Sequence, residues 1–110
     1  GNIMPAMGTP SFFAVTSNAN QQVSAGKISI VGIIWHNDDS AARFMQIFQK
    51  ASADVTVGTT VPDMVIQIGA DSEDEITFYG AVFTAFTFAI TTTRTGSTGG
   101  TANDVTVVTN

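Results

Sequence analysis

The chain contains no leucine, while 16 Thr, 11 Val and 10 Ile make 37 of its 110 residues β-branched. Branching at Cβ restricts χ1 and suits a pleated surface, whereas leucine is a common core residue of helices. The expectation is an all-β fold. Apolar residues reach 44% and charged residues only 12%, far from the composition of chains that stay unfolded. A length of 110 residues fits one domain and is short for two. With no cysteine, neither disulfides nor thiolate metal sites are available as stabilisers, which leaves packing and association.

The alternation of apolar and polar residues, interrupted by turn-forming clusters, divides the chain further. Residues 1–11 mix Gly, Pro and Met without a period and read as an extended N-terminal arm; residues 12–110 form the domain. Phe12 to Thr16 is the first strand candidate and Ser17 to Gln22 a turn. Lys27 to His36 is the clearest strand. Both of its faces are largely apolar, Ile28, Ile30, Ile34 and His36 on one and Val31, Ile33 and Trp35 on the other, which predicts cover on both sides.

Asn37 to Ser40 is a turn. In Ala41 to Ala51, Ala41, Phe44, Met45 and Phe48 fall at helical spacing, but Phe44, Gln46 and Phe48 also alternate with Met45 and Ile47. The strand is the preferred reading, because it sets two β-runs on either side of a short turn. Val55 to Pro62 should be a loop, Met64 to Ile68 a strand, Gly69 to Asp74 an acidic turn and Ile76 to Tyr79 a strand broken at Gly80. Phe83 to Thr92 reads as one long strand, Arg94 to Thr101 as a loop and Asp104 to Thr109 as the closing strand. Seven or eight short strands at this spacing predict an antiparallel β-sandwich of jelly-roll type.

The residue types exclude most chemistry. Four basic residues, Lys27, Arg43, Lys50 and Arg94, lie far apart in a chain of net charge -5, so no cationic patch for nucleic acid forms in sequence, and an anionic membrane surface is disfavoured. No stretch approaches the roughly 20 apolar residues of a membrane-spanning helix. His36 is the one histidine, too few for a multi-histidine metal site, and no Gly-x-Ser-x-Gly pattern accompanies it. Asp71, Glu73, Asp74 and Glu75 form the only acidic cluster, but their spacing is not that of an EF-hand, and a solvated turn is the simpler reading. Trp35 and Tyr79 could together stack a sugar, although core or interface packing suits Trp35 better. The expectation is a protein without enzymatic activity or cofactor.

Two stretches resemble small structural proteins of tailed bacteriophages. One is Asn37-Asp38-Asp39-Ser40-Ala41-Ala42-Arg43-Phe44-Met45-Gln46-Ile47-Phe48-Gln49-Lys50-Ala51, followed by Val57-Gly58-Thr59-Thr60-Val61-Pro62. The other runs from Gly80 to Thr92 and resumes at Ala102-Asn103-Asp104-Val105-Thr106-Val107. The chain departs from the pattern at Asp54-Val55 and at Ala85. The resemblance implies a β-sandwich on the virion, either a capsid decoration (cement) protein or a tail-associated component.

The expected role is therefore a decoration protein, made in the host cytoplasm and placed on the outer capsid surface. It would form a homotrimer and clamp the major capsid protein. Candidate subunit-interface residues are Phe12 and Phe13 beside the arm, Ile33 and Trp35 in the two-sided strand, and Phe44 and Phe48 in the next run. The alternative is a tail or fibre module that binds host surface glycans.

Overall fold

A computed structural model describes residues 8–110. Eight strands form two antiparallel four-stranded sheets: β1 (Thr9–Val15), β2 (Gln21–Ser24), β3 (Ile28–Asn37), β4 (Arg43–Phe48), β5 (Met64–Ile68), β6 (Ser72–Phe83), β7 (Phe86–Thr91) and β8 (Asn103–Thr109). One sheet has the order β1-β8-β3-β6 and the other β2-β7-β4-β5. First thus pairs with last, second with seventh, third with sixth and fourth with fifth, so the chain is a long doubled ribbon. The β3–β8 and β4–β7 pairs then join the arms of the ribbon into sheets.

The core lies between the sheets. Val15, Ile30, Ile33, Trp35, Phe83, Val105 and Val107 of the first sheet meet Met45, Ile47, Ile68, Phe86, Phe88 and Ile90 of the second. Phe13 stands edge-on to Phe88 across the gap, with ring centroids 5.2 Å apart. Edge-to-face pairs of this kind add about 0.5–1.5 kcal/mol beyond the area they bury.

The ambiguous segment after the Asn37 turn is strand β4, as the alternation favoured. Five other expectations need correction. Thr9, Pro10 and Ser11, read as the end of an arm, pair with Thr109, Val108 and Val107; the rest of that arm, residues 1–7, lies outside the described residues. Gln21 and Gln22, read as turn, belong to β2, where Gln21 is held opposite Phe88. The acidic residues Glu73 to Glu75 sit on β6, and their sheet partners on β3 keep them extended.

The long strand read from Phe83 to Thr92 is two strands in different sheets. At Thr84 the chain crosses between them, and the Thr84 N–H donates to Gln49 Oε1 at 3.1 Å. Gly80 does not end a strand but lies in a bulge of β6. Thr77 faces Gly32 and Ala81 faces Ile30, so Phe78, Tyr79 and Gly80 together oppose Val31 alone. Tyr79 and Gly80 accommodate the extra length with φ of 55° and 80°.

Candidate functional site

The two sheets differ in what lies on their outer faces. On the second sheet, Phe48 and Ala89 are buried yet stand outside the core between the sheets, because loop segments cover them, and Val55 is buried within one of those segments. The β4–β5 connection contains a 3-10 turn at Ser52–Asp54 and is tied down from below. Thr87 Oγ1 donates to the Lys50 carbonyl at 2.8 Å, Asn20 Nδ2 to the Ser52 and Val55 carbonyls, and the Ser52 N–H to Gln22 Oε1. The β7–β8 connection is held likewise. Buried Gln46 donates from Nε2 to Thr91 Oγ1 and to the Gly96 carbonyl, each at 2.9 Å. Where the two connections meet, Gly58 has φ 92°, and an added Cβ would stand 2.7 Å from Ser97 Cβ.

On the first sheet no described residue covers the outer face. Alternation and register place Pro10, Phe12 and Ala14 of β1 there, beside Asp104, Thr106 and Val108 of β8, Gly32, Ile34 and His36 of β3, and Glu73, Glu75 and Thr77 of β6. Phe12 is 67% exposed and Ile34 41%. Gly32 is required by the tight approach of β6, since a Cβ there would lie 2.8 Å from the Ile76 carbonyl oxygen. Beside it, Ile34, Glu73, Asp74 and Glu75 line an open groove of about 410 Å³.

At one end of this face His36 Nδ1 lies 3.2 Å from Asp104 Oδ2. The hydrogen bond with Asp104 is the main influence raising the imidazole above its ordinary value; slight burial opposes it, and the charges of Asp104, Asp38 and Glu73 assist. Among the described residues the ring hydrogen-bonds to that carboxylate and not to a serine. Among the described residues no three His, Asp or Glu side chains converge as a metal site would need.

The same end is pinned by a polar cluster that sequence reasoning took for an ordinary turn. Asp39 is buried and accepts from Arg43 Nε at 3.1 Å, Asn103 Nδ2 at 2.7 Å, the Thr101 hydroxyl at 2.7 Å and the Thr101 N–H. Asn103 in turn accepts from Trp35 Nε1 at 2.9 Å. Burial pushes the Asp39 carboxyl up, but hydrogen bonds from Thr101 and Ala102, with the Arg43 charge, outweigh it and hold the group below its ordinary value. The signal in the sequence was the run Asn37-Asp38-Asp39 together with Asn103: short amides and acids at strand ends, able to satisfy backbone and each other.

The six candidate interface residues separate. Ile33 and Trp35 are core residues, Phe48 lies under the β4–β5 connection, and Phe13 packs against Phe88. Phe44 is half-buried beneath Arg94, whose Cζ stands 5.7 Å from the ring centroid. Phe12 alone of the six is largely open to solvent. Trp35 and Tyr79 are not brought together as a sugar platform. Trp35 is fully buried, whereas Tyr79 is 92% exposed on the β6 bulge.

Fold and site together define an all-β, sandwich-like protein with one face closed by its own loops and the other without cover among the described residues. Searches against family models, curated proteins and solved structures return no match to the chain.

Proposed function

We propose that this chain is a bacteriophage virion structural protein, a capsid decoration (cement) protein. In this reading it binds the outer surface of the major capsid protein lattice and stabilises the shell. The observation that carries the reading is the asymmetry of the two outer faces. A chain that seals one face with its own loops and leaves Phe12, Ile34 and Val108 on the other has a surface suited to lie on a partner.

Three further features support it. The orders β1-β8-β3-β6 and β2-β7-β4-β5 fit a jelly roll, a winding used in viral capsid domains. The resemblance of residues 37–62 and 80–107 to phage structural proteins points the same way. A net charge of -5 suits the outside of a shell better than its DNA-lined interior. The glycan-binding alternative loses its aromatic pair with the burial of Trp35.

The test is an electron-microscopy map of the intact particle, combined with heat challenge of particles lacking the chain. Density on the outer shell and a lowered temperature of DNA release are expected. Density confined to the tail, or particles equally robust without the protein, would overturn the reading.

A further inference from the structure

The four edge strands are protected unequally. β2 is four residues long with an irregular register, and β6 carries Glu73, Asp74 and Glu75 and then the Tyr79 bulge. β5 has five residues, follows Pro62-Asp63 directly and touches β6 of the facing sheet. Short edges, charges and bulges are the usual means by which an open edge is kept from pairing. β1 has seven residues in unbroken register with β8 and no charged residue.

The direction of its backbone groups can be read from β8. The Asn110 N–H donates to the Ser29 carbonyl at 3.1 Å and so faces β3. Polar groups alternate sides along a strand, so those of Thr109 face β1, and the Thr109 hydroxyl indeed reaches the Thr9 carbonyl at 3.4 Å. Thr9, Ser11, Phe13 and Val15 therefore turn their N–H and C=O groups toward β8. Pro10, Phe12 and Ala14 turn theirs outward. Proline, with no N–H to offer, is tolerated in that outward register of an edge strand.

We propose that the β1 edge pairs antiparallel with the β1 edge of a second copy of this chain, making one continuous eight-stranded sheet across a two-fold axis. The register that sets Phe12 opposite Phe12 of the second copy uses every outward N–H. Phe12 N–H meets the Phe12 carbonyl, and Ala14 N–H meets the Pro10 carbonyl, each twice by symmetry. The exposed Phe12 rings then cover one another on the outer face, an aromatic cross-strand pair that adds to the ladder. Self-complementarity is what an isologous contact requires, and the uncharged seam lets two acidic chains approach there. The two bare faces join side by side into a surface twice as wide. The pairing holds wherever the protein works and does not depend on the virion reading.

The test is sedimentation equilibrium of the full chain, with amide hydrogen exchange. A dimer of the 11.5 kDa chain is expected, with slow exchange at Phe12 and Ala14. Ala14→Pro removes one outward donor per copy and no bond to β8. It should weaken the dimer by about 25-fold, at roughly fivefold for each of the two lost hydrogen bonds. Ala14→Val should leave the dimer intact, and Phe12→Lys should give a folded monomer with fast exchange at Ala14. A wild-type chain that stays monomeric, or a dimer unaffected by both Phe12→Lys and Ala14→Pro, would overturn the proposal.

Discussion

The two outer faces of this molecule are built from similar strands and end in opposite states. On β4 and β7 the outward residues Gln46, Phe48, Thr87, Ala89 and Thr91 are buried beneath the β4–β5 and β7–β8 connections, and Phe44, under Arg94, is half-buried. On β3 and β8 the outward residues Gly32, Ile34, Thr106 and Val108 have no such roof among the described residues. The roofed face contains groups that hold loops, a glutamine amide and threonine hydroxyls beneath carbonyls. The bare face contains groups that tolerate water or a partner, with glycine and threonine around an isoleucine. An outward residue is thus chosen for what is laid over it.

The comparison breaks most sharply under truncation. Phe48→Ala should cost about 3–5 kcal/mol in urea unfolding, because it empties space under the roof. Ile34→Thr on the bare face should change the same measurement by less than about 0.5–1 kcal/mol. Equal losses at the two sites would mean that the faces do not differ as described.

A smaller effect is expected where the roof is fastened. Asp39 holds Thr101 and Asn103, the residues at which the β7–β8 connection ends and β8 begins, so Asp39→Asn should cost about 2 kcal/mol. The folded carboxyl is held below its ordinary value, so its contribution is fully present above about pH 4 and drains away as pH falls through the folded value. Asp39→Asn should therefore flatten the acid limb of a stability–pH curve; an unchanged limb would assign it to other carboxylates.

The smallest effect belongs to the bare face. His36 is raised by Asp104, so their attraction is fully present below the unfolded value near 6.5 and is lost as pH rises through the higher folded value. An NMR titration should place the His36 midpoint above 6.5 in the wild-type chain and return it toward 6.5 in Asp104→Asn. With both groups well exposed, global stability should hardly register the change.

Much of the fold was legible because its signals are local. β-Branched runs, their alternation and the turn clusters place β3, β4, β5 and β8 within a residue or two. What failed was whatever depended on a distant partner. β2 is a strand only because β7 lies beside it, and the apparent run from Phe83 to Thr92 is cut because its halves pair in different sheets. The bulge at Tyr79 follows from the mismatch in length between β6 and β3. Of the candidate interface set, Phe12 reached the surface while Ile33, Trp35 and Phe48 went inside. Hydrophobicity states that a residue must leave water and does not state which partner removes it.

By itself, then, the sequence determined an all-β chain of short strands with an uncharged first strand, since χ1 restriction, pleat period and turn chemistry act between near neighbours. Tertiary structure alone decided which strand faces are roofed and which strands form the edges of the sheets. In sequence both faces of β3 are apolar enough to be buried. Only the folding of the ribbon onto itself sends the loops to cover β4 and β7 while no described residue covers β3 and β8, because cover comes from segments far along the chain.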